Sequence, residues 1–376
     1  MKIATIAHNL RVAGGRVVGL NIVSAMPSIA PEHELLFVVP ADAGYPELDH
    51  LPNVSMLCCP VDGWYSRWRW ENRVLDRAIK SFKPDWIWAL GNIPVCNPPC
   101  RQSLLLHNPH RLYRRLSRQG AGFGQRMIKW LSDRQLDRRA LFVDRLYCQT
   151  ETMRRKSHEV LRFSLERIGL CPNSFSTFIH ETDRWPESLE SLRGRFILFV
   201  LTKYYIHKNL ERIVEMFEES RKELEDVVCI LPISPDQGPG AARLIGKIAR
   251  WNLQDQIRCV GGVPQEALGE YFAAADVMFL PTLLESFSGT YLEAMTLGTP
   301  IVTSDRDFAR EICGNAAEYI DPLSTRSMVD GILRLKNSRA RRVELVEAGR
   351  KRIKTYLRTW PDILRNVLDQ EGISHT

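Results

Sequence analysis

Glu285 and Glu293 stand eight residues apart, and Lys203 and Lys208 stand five apart just beyond an apolar run. The order of residue types around the two glutamates predicts a local structure. An apolar strand over 277–280 ends at Pro281, a loop carries Glu285, and a short helix opens near Ser288. Gly298 suits the stop of that helix because it tolerates positive φ, and Pro300 prevents continuation. Free N–H groups of Phe287, Ser288 and Gly289 would then point out of the helix start, where an anion is favoured. Phosphate on those amides and hydroxyls on the two carboxylates is the chemistry of a sugar nucleotide. An acid–base pair of a glycosidase fits less well. Such carboxyls lie about 5 to 9.5 Å apart, whereas eight residues of continuous helix span ~12 Å.

These residues need rigid elements to hold them. Short apolar runs alternate with amphipathic segments along the whole chain, the pattern of parallel sheets covered by helices. Strands are predicted over 3–7, 35–39, 54–58, 86–90, 103–107 and 146–149, and again over 196–201, 227–231, 257–260, 277–280, 301–304 and 318–320. Helices are predicted over 15–26, 71–82, 125–139, 151–161, 209–223, 240–251, 265–274 and 325–336, with a basic helical stretch over 339–368. The fold class is therefore α/β: two doubly wound, Rossmann-like lobes facing a cleft at the carboxyl ends of their strands. A polar segment without period, 175–194, reads as the linker, so the lobes are expected at 1–176 and 177–355.

The 376 residues suffice for two buried cores, and 44% apolar with 25% charged residues is ordinary for a globular protein. No run approaches the ~18 apolar residues of a membrane span. The N-terminus reads as a buried strand and not as a signal peptide. Nine scattered cysteines without metal spacing point to reduced thiols and a cytoplasmic protein. No Asp-x-Asp pair is placed to hold Mg²⁺ against a diphosphate, so neither metal nor cofactor is expected. The net charge of +7 is uneven, with ten Arg or Lys against three Asp between His110 and Arg145. Arginines interleaved with Leu, Tyr, Met, Ile and Trp over 111–139 suit an anionic membrane surface, or else an ordinary solvated helix face. No nucleic-acid motif accompanies the charge.

The Glu-x7-Glu run resembles the motif of retaining glycosyltransferases of the GT-B fold, family 4 in particular. Further segments resemble that family in the family's order: 171–174, 203–210, 260–264, 271–281 and 310–322. The resemblance implies a hexosyltransferase that uses a UDP- or GDP-sugar, with a glycan or lipid-linked saccharide as acceptor, as in bacterial cell-surface polysaccharide synthesis. It implies that Glu293 binds the ribose hydroxyls and that Glu285 faces the donor sugar. Lys203 and Lys208 would stabilise the negative charge growing on the leaving diphosphate, more in the transition state than before it. The chain departs from the pattern here: Lys203 stands where the family usually has Arg, and Thr202 where it has Gly. Gly14 and Gly15, after the first strand, resemble a loop that lines the donor phosphates and acceptor; they do not form a dinucleotide fingerprint. His107 matches a histidine that contacts the transferred sugar, although Asn108 follows it where Asp is frequent. The end of the chain, about 356–376, is implied to pack back on the first lobe.

Two other readings share this sequence. One is a GT-B epimerase or phosphorylase that acts without an acceptor sugar. The other is a non-catalytic sugar-nucleotide-binding protein. A peripheral position on the inner face of the plasma membrane remains an expectation of the basic stretch alone.

Overall fold

The computed structural model describes all residues except Asp62, 114–122, 175–180 and Leu357. Part of the basic stretch 111–139 and part of the expected linker thus lie outside the described residues. Residues 1–113, 123–174 and 358–376 form one compact unit, and residues 181–356 belong to a second.

The first unit contains β1 (Lys2–Ile6), α1 (Ala13–Ile29), β2 (Glu34–Pro40) and β3 (Val54–Cys59). Then come α2 (Trp64–Trp70), a π-helical turn (Glu71–Leu75), α3 (Asp76–Phe82), β4 (Trp86–Leu90) and β5 (Arg101–Leu106). It continues with α4 (Phe123–Arg139), β6 (Arg145–Cys148), α5 (Glu151–Leu161) and β7 (Ile168–Leu170). All pairings are parallel, in the order β3-β2-β1-β4-β5-β6-β7. Every residue of β4 is buried, as a strand covered by helices on both faces requires. Chain direction across the sheet reverses between β1 and β4, so loops leaving those strands diverge and leave room for a ligand. Gly91, at φ 79, sits at that point; a Cβ there would lie 2.5 Å from the Leu10 side chain.

The second unit repeats the plan. It contains β8 (Phe196–Phe199), α6 (Leu210–Glu219), β9 (Val227–Leu231), α7 (Pro239–Arg250), β10 (Ile257–Cys259), α8 (Leu268–Ala274) and β11 (Val277–Leu280). It continues through α9 (Gly289–Thr296), β12 (Ile301–Ser304), α10 (Asp307–Cys313), β13 (Ala317–Ile320), α11 (Thr325–Asn337) and α12 (Arg339–Ile353). The sheet is parallel in the order β10-β9-β8-β11-β12-β13, with its reversal between β8 and β11.

The chain ends in α13 (Trp360–Glu371), which returns to the first unit. Its Ile363, Leu364, Val367 and Leu368 enter the same apolar core as Ile22, Phe37 and Trp88. A capping box between Thr359 and Asp362 starts it.

All nine cysteines are free thiols. Among the described residues no helix is long and apolar enough to cross a membrane, and no group of three His, Cys, Asp or Glu side chains is placed to hold a metal.

Candidate active site

In the second unit, the expected residues gather at the reversal point of the sheet. The segment leaving β8 carries Lys203 and Lys208; the one leaving its neighbour β11 carries Glu285. Hydrogen bonds stitch the two together. The His207 carbonyl accepts from the Leu283 amide at 2.8 Å and from Thr282 Oγ1 at 3.1 Å. Asn209, held at φ 62, donates to the carbonyls of Pro281 at 3.1 Å and Pro322 at 2.7 Å.

On this platform Lys208 Nζ donates to Glu285 Oε1, with the two side chains only 15% and 12% exposed. Thr282 Oγ1, whose single hydrogen can go to the His207 carbonyl or to this carboxylate, lies 3.3 Å from the same oxygen. Lys203 is exposed, and its ammonium makes no ion pair among the described residues.

The next element is α9. Ser288 is its N-cap residue without a side-chain cap, and the Tyr291 amide bonds the Ser288 carbonyl at 3.3 Å. The amides of Gly289 and Thr290 therefore open the helix without partners inside it. Phe287 and Ser288 stand just before it, the Phe287 ring 6.4 Å from that of Tyr356. A Cβ added at Gly289 would meet nothing within 4 Å. Tyr291 OH pins the helix to β12 through Thr303 Oγ1 at 2.7 Å. Gly298, at φ 68, ends it, and the Thr299 amide caps the Ala294 carbonyl at 2.9 Å.

Glu293 projects from this helix half-buried. Among the described residues its carboxylate has no hydrogen-bond or ion-pair partner, and burial pushes it up from 4.5 to about 7. A half-buried carboxylate without protein donors has room to accept from hydroxyl or amide partners of a ligand.

The first unit holds the other expected residues. Gly14 and Gly15 lie in the first turn of α1, where a Cβ at Gly14 would meet nothing within 4 Å. His107 follows β5. Gln149 Nε2 donates to its Nδ1 at 3.1 Å and to Asn173 Oδ1 at 2.8 Å. Burial pushes His107 down to about 4, so the ring is neutral. With Nδ1 accepting, the proton sits on Nε2, a buried donor without a partner.

The sequence reading missed a buried ionic cluster at the end of β1. His8 Nε2 lies 3.0 Å from Glu71 Oε1, and Arg139 Nη2 lies 2.9 Å from Glu71 Oε2. Burial acts to raise Glu71, but the hydrogen bond from His8 and the charge of Arg139 outweigh it and hold the carboxyl below its usual range. Glu71 opens the π-helical turn, which aims its carboxylate inward. No local motif marks Glu71, Arg139 or Gln149; only the fold joins residues 68 positions apart.

Residues 181–352, a little under half of the chain, match the family model described as glycosyl transferases group 1. The amylovoran biosynthesis glycosyltransferase AmsK of Erwinia amylovora is 31% identical over 122 residues, 30% of this chain and 30% of that protein. The alignment thus spans under a third of that relative's length. Sucrose-phosphate synthase from Thermosynechococcus elongatus superposes over 99% of this chain and 98% of its own, with a TM-score of 0.76 at 14% identity. Anabaena HepE in complex with UDP and glucose gives 0.72 over 99% of each chain at 14% identity. The likeness to these structures shows the fold: two parallel-stranded α/β units of the GT-B kind. Together with the motif-bearing second unit, these findings support a group 1 glycosyltransferase.

Proposed function

We propose that the protein is a retaining hexosyltransferase that moves a sugar from a nucleoside diphosphate to a hydroxyl of a glycan acceptor in cell-surface polysaccharide synthesis. The observation that carries this reading is Glu293, a half-buried carboxylate without a partner among the described residues, on the helix that follows the Lys208–Glu285 pair. A pair of ribose hydroxyls supplies the donors it lacks. Lys203, Lys208 and the amides at the start of α9 hold the diphosphate, and Glu285 orients the donor sugar. UDP is the favoured nucleotide, as in the UDP complex of HepE, whose fold this chain shares.

The reaction is front-face. The bond from the anomeric carbon to the diphosphate oxygen breaks as the acceptor oxygen approaches on the same side. The acceptor's proton passes to the departing phosphate oxygen, so no protein nucleophile is required. His107 donates from Nε2 to a hydroxyl of the transferred sugar. The lysines and amides take the charge-neutralising role, and the transfer needs no metal.

The enzyme works in the cytoplasm against the inner face of the plasma membrane, drawn there by the basic stretch 111–139. On α4, Met127, Ile128, Trp130 and Leu131 are exposed, with the Arg134 guanidinium 4.7 Å from the Trp130 ring. Liposome co-sedimentation checks this: binding to anionic vesicles and not to neutral ones supports it, and failure with both removes it.

A thermal-shift panel of UDP, GDP and their common sugars tests the donor site, because a ligand bound only by the folded chain raises Tm by mass action. A selective rise with one nucleotide, lost in Glu293→Ala, supports the reading. No response to any member overturns it. Product NMR with the responding donor then reads the anomer, and inversion would refute the front-face step.

A further inference from the structure

Lys208 is paired with Glu285, whereas Lys203 is exposed and makes no ion pair among the described residues. A lysine is a point charge on a long flexible stem, and without a carboxylate beside it only the backbone decides where it starts. That backbone is pinned at both ends of one peptide group. The Lys203 carbonyl accepts from Thr202 Oγ1 at 2.9 Å. The Tyr204 amide, on the other side of the same peptide, donates to Gln237 Oε1 at 3.0 Å. Gln237 lies in the turn between β9 and α7, and its Nε2 donates in turn to the Pro232 carbonyl at 3.1 Å.

The Tyr204 side chain extends the anchorage to two helices. Its hydroxyl donates to Glu211 in the first turn of α6. Its ring lies against Gly240 in the first turn of α7, where a Cβ would fall 2.2 Å from the ring. Any other residue at 240 would have to push the tyrosine aside. Lys203 and Tyr205 on either side are exposed, so Tyr204 is the point at which this loop enters the unit.

We infer that Tyr204 is a positioning residue for Lys203. It fixes the peptide from which the unpaired ammonium reaches a diphosphate, so that less freedom is lost when the anion binds. The inference rests on the proposed donor site and adds to it what holds the unpaired cation in place. The departures from the resembling family fit this arrangement. A lysine lacks the fork of a guanidinium, so its placement falls to the chain. The hydroxyl of Thr202, standing where the family has Gly, pins the Lys203 carbonyl.

The test is a double-mutant cycle on nucleotide affinity, with the full chain titrated with UDP and GDP by calorimetry. Lys203→Ala should weaken the preferred nucleotide roughly tenfold, the loss of one charge-assisted contact. Tyr204→Ala should weaken it about fivefold when Lys203 is present, and should add almost nothing in the Lys203→Ala background. Tyr204→Phe keeps the ring and the amide and should bind almost as the parent does. Gly240→Ala displaces the ring from outside the donor site and should reproduce the loss of Tyr204→Ala, which keeps the test decisive if that variant folds poorly. A tyrosine that served the fold alone would weaken binding by the same factor in both backgrounds. Additive losses, or full affinity in Tyr204→Ala and Gly240→Ala, would overturn the inference and leave the donor site standing. Full affinity in Lys203→Ala would remove Lys203 from that site and the inference with it. Failure of the parent to bind either nucleotide would overturn the donor reading itself.

Discussion

Lys208 and Glu285 meet across loops that leave two neighbouring parallel strands, 77 residues apart in sequence. Each is nearly enclosed, and the ion pair between them leaves neither charge without an opposite partner. Removing one partner of such a pair strands a buried charge, at a cost of about 3 kcal/mol. Lys208→Met alone and Glu285→Leu alone should therefore lower Tm by several degrees. The double variant should be more stable than either single one, because it leaves no stranded charge. All three should lose donor turnover. A thermal-denaturation cycle with turnover assays reads both effects, and additive losses in stability would show the pair to be uncoupled.

Glu293 gives the site a pH dependence with a definite sign. Its carboxyl is raised from 4.5 to about 7 by burial, so the folded chain holds a proton that the unfolded chain has released. Its contribution to stability is full below pH 4.5 and falls as pH rises toward 7, by roughly 3 kcal/mol at most. Glu293→Gln should remove this slope and raise Tm at pH 8 relative to the parent, more than at pH 5. Donor hydroxyls bond best to the ionised form, so UDP affinity should rise between pH 6 and 8 in the parent and stay flat in the variant. Calorimetry at both pH values checks this.

How much of this was legible beforehand depends on how local the signal is. All twelve expected strands are present, because a fully buried parallel strand is a continuous apolar run. The seventh strand of the first sheet, Ile168–Leu170, escaped notice: three residues around a glycine carry no period. Two helices were missed as well. Trp64–Trp70 mixes aromatics with cations and shows no clear apolar stripe, and Asp307–Cys313 is too short to show one. The site divides the same way. Glu285, Glu293 and the lysines announce themselves by spacing within one segment. Glu71 with Arg139, and Gln149 with His107, become partners only through sheet order, which no single stretch encodes.

His107 should behave as a neutral donor throughout the physiological range. Burial holds it down to about 4, and Gln149 occupies Nδ1. Nitrogen NMR of labelled protein should show the Nε2–H tautomer from pH 5.5 to 9, with no titration. Gln149→Leu removes the partner of Nδ1 and should let the other tautomer appear. His107→Ala should lower kcat roughly a hundredfold with little change in UDP affinity, the behaviour of a group that acts on the sugar and not on the nucleotide. A histidine that titrates near 6.5 in the folded chain would contradict the enclosed geometry.

The last helix is joined to the first unit by a buried carboxylate. Glu371 accepts from Ser103 Oγ at 2.7 Å and from Tyr147 OH at 2.8 Å, with Arg145 Nε 3.6 Å away. Four apolar side chains of α13 enter the core beside it. Each fully buried aliphatic side chain contributes about 1.5–3 kcal/mol, so the helix is a substantial part of the stability of that unit. Glu371→Ala leaves the buried Ser103 hydroxyl without its acceptor and Tyr147 OH with only the Val367 carbonyl at 3.4 Å, and should cost about 2–4 kcal/mol. Glu371→Gln keeps an acceptor oxygen and should cost less than half as much. Truncation at residue 357 should expose the apolar face and send the protein into inclusion bodies. If UDP binding survives in Glu371→Ala while its Tm falls, the helix serves the fold of the first unit alone; limited proteolysis should then cut first within 358–376.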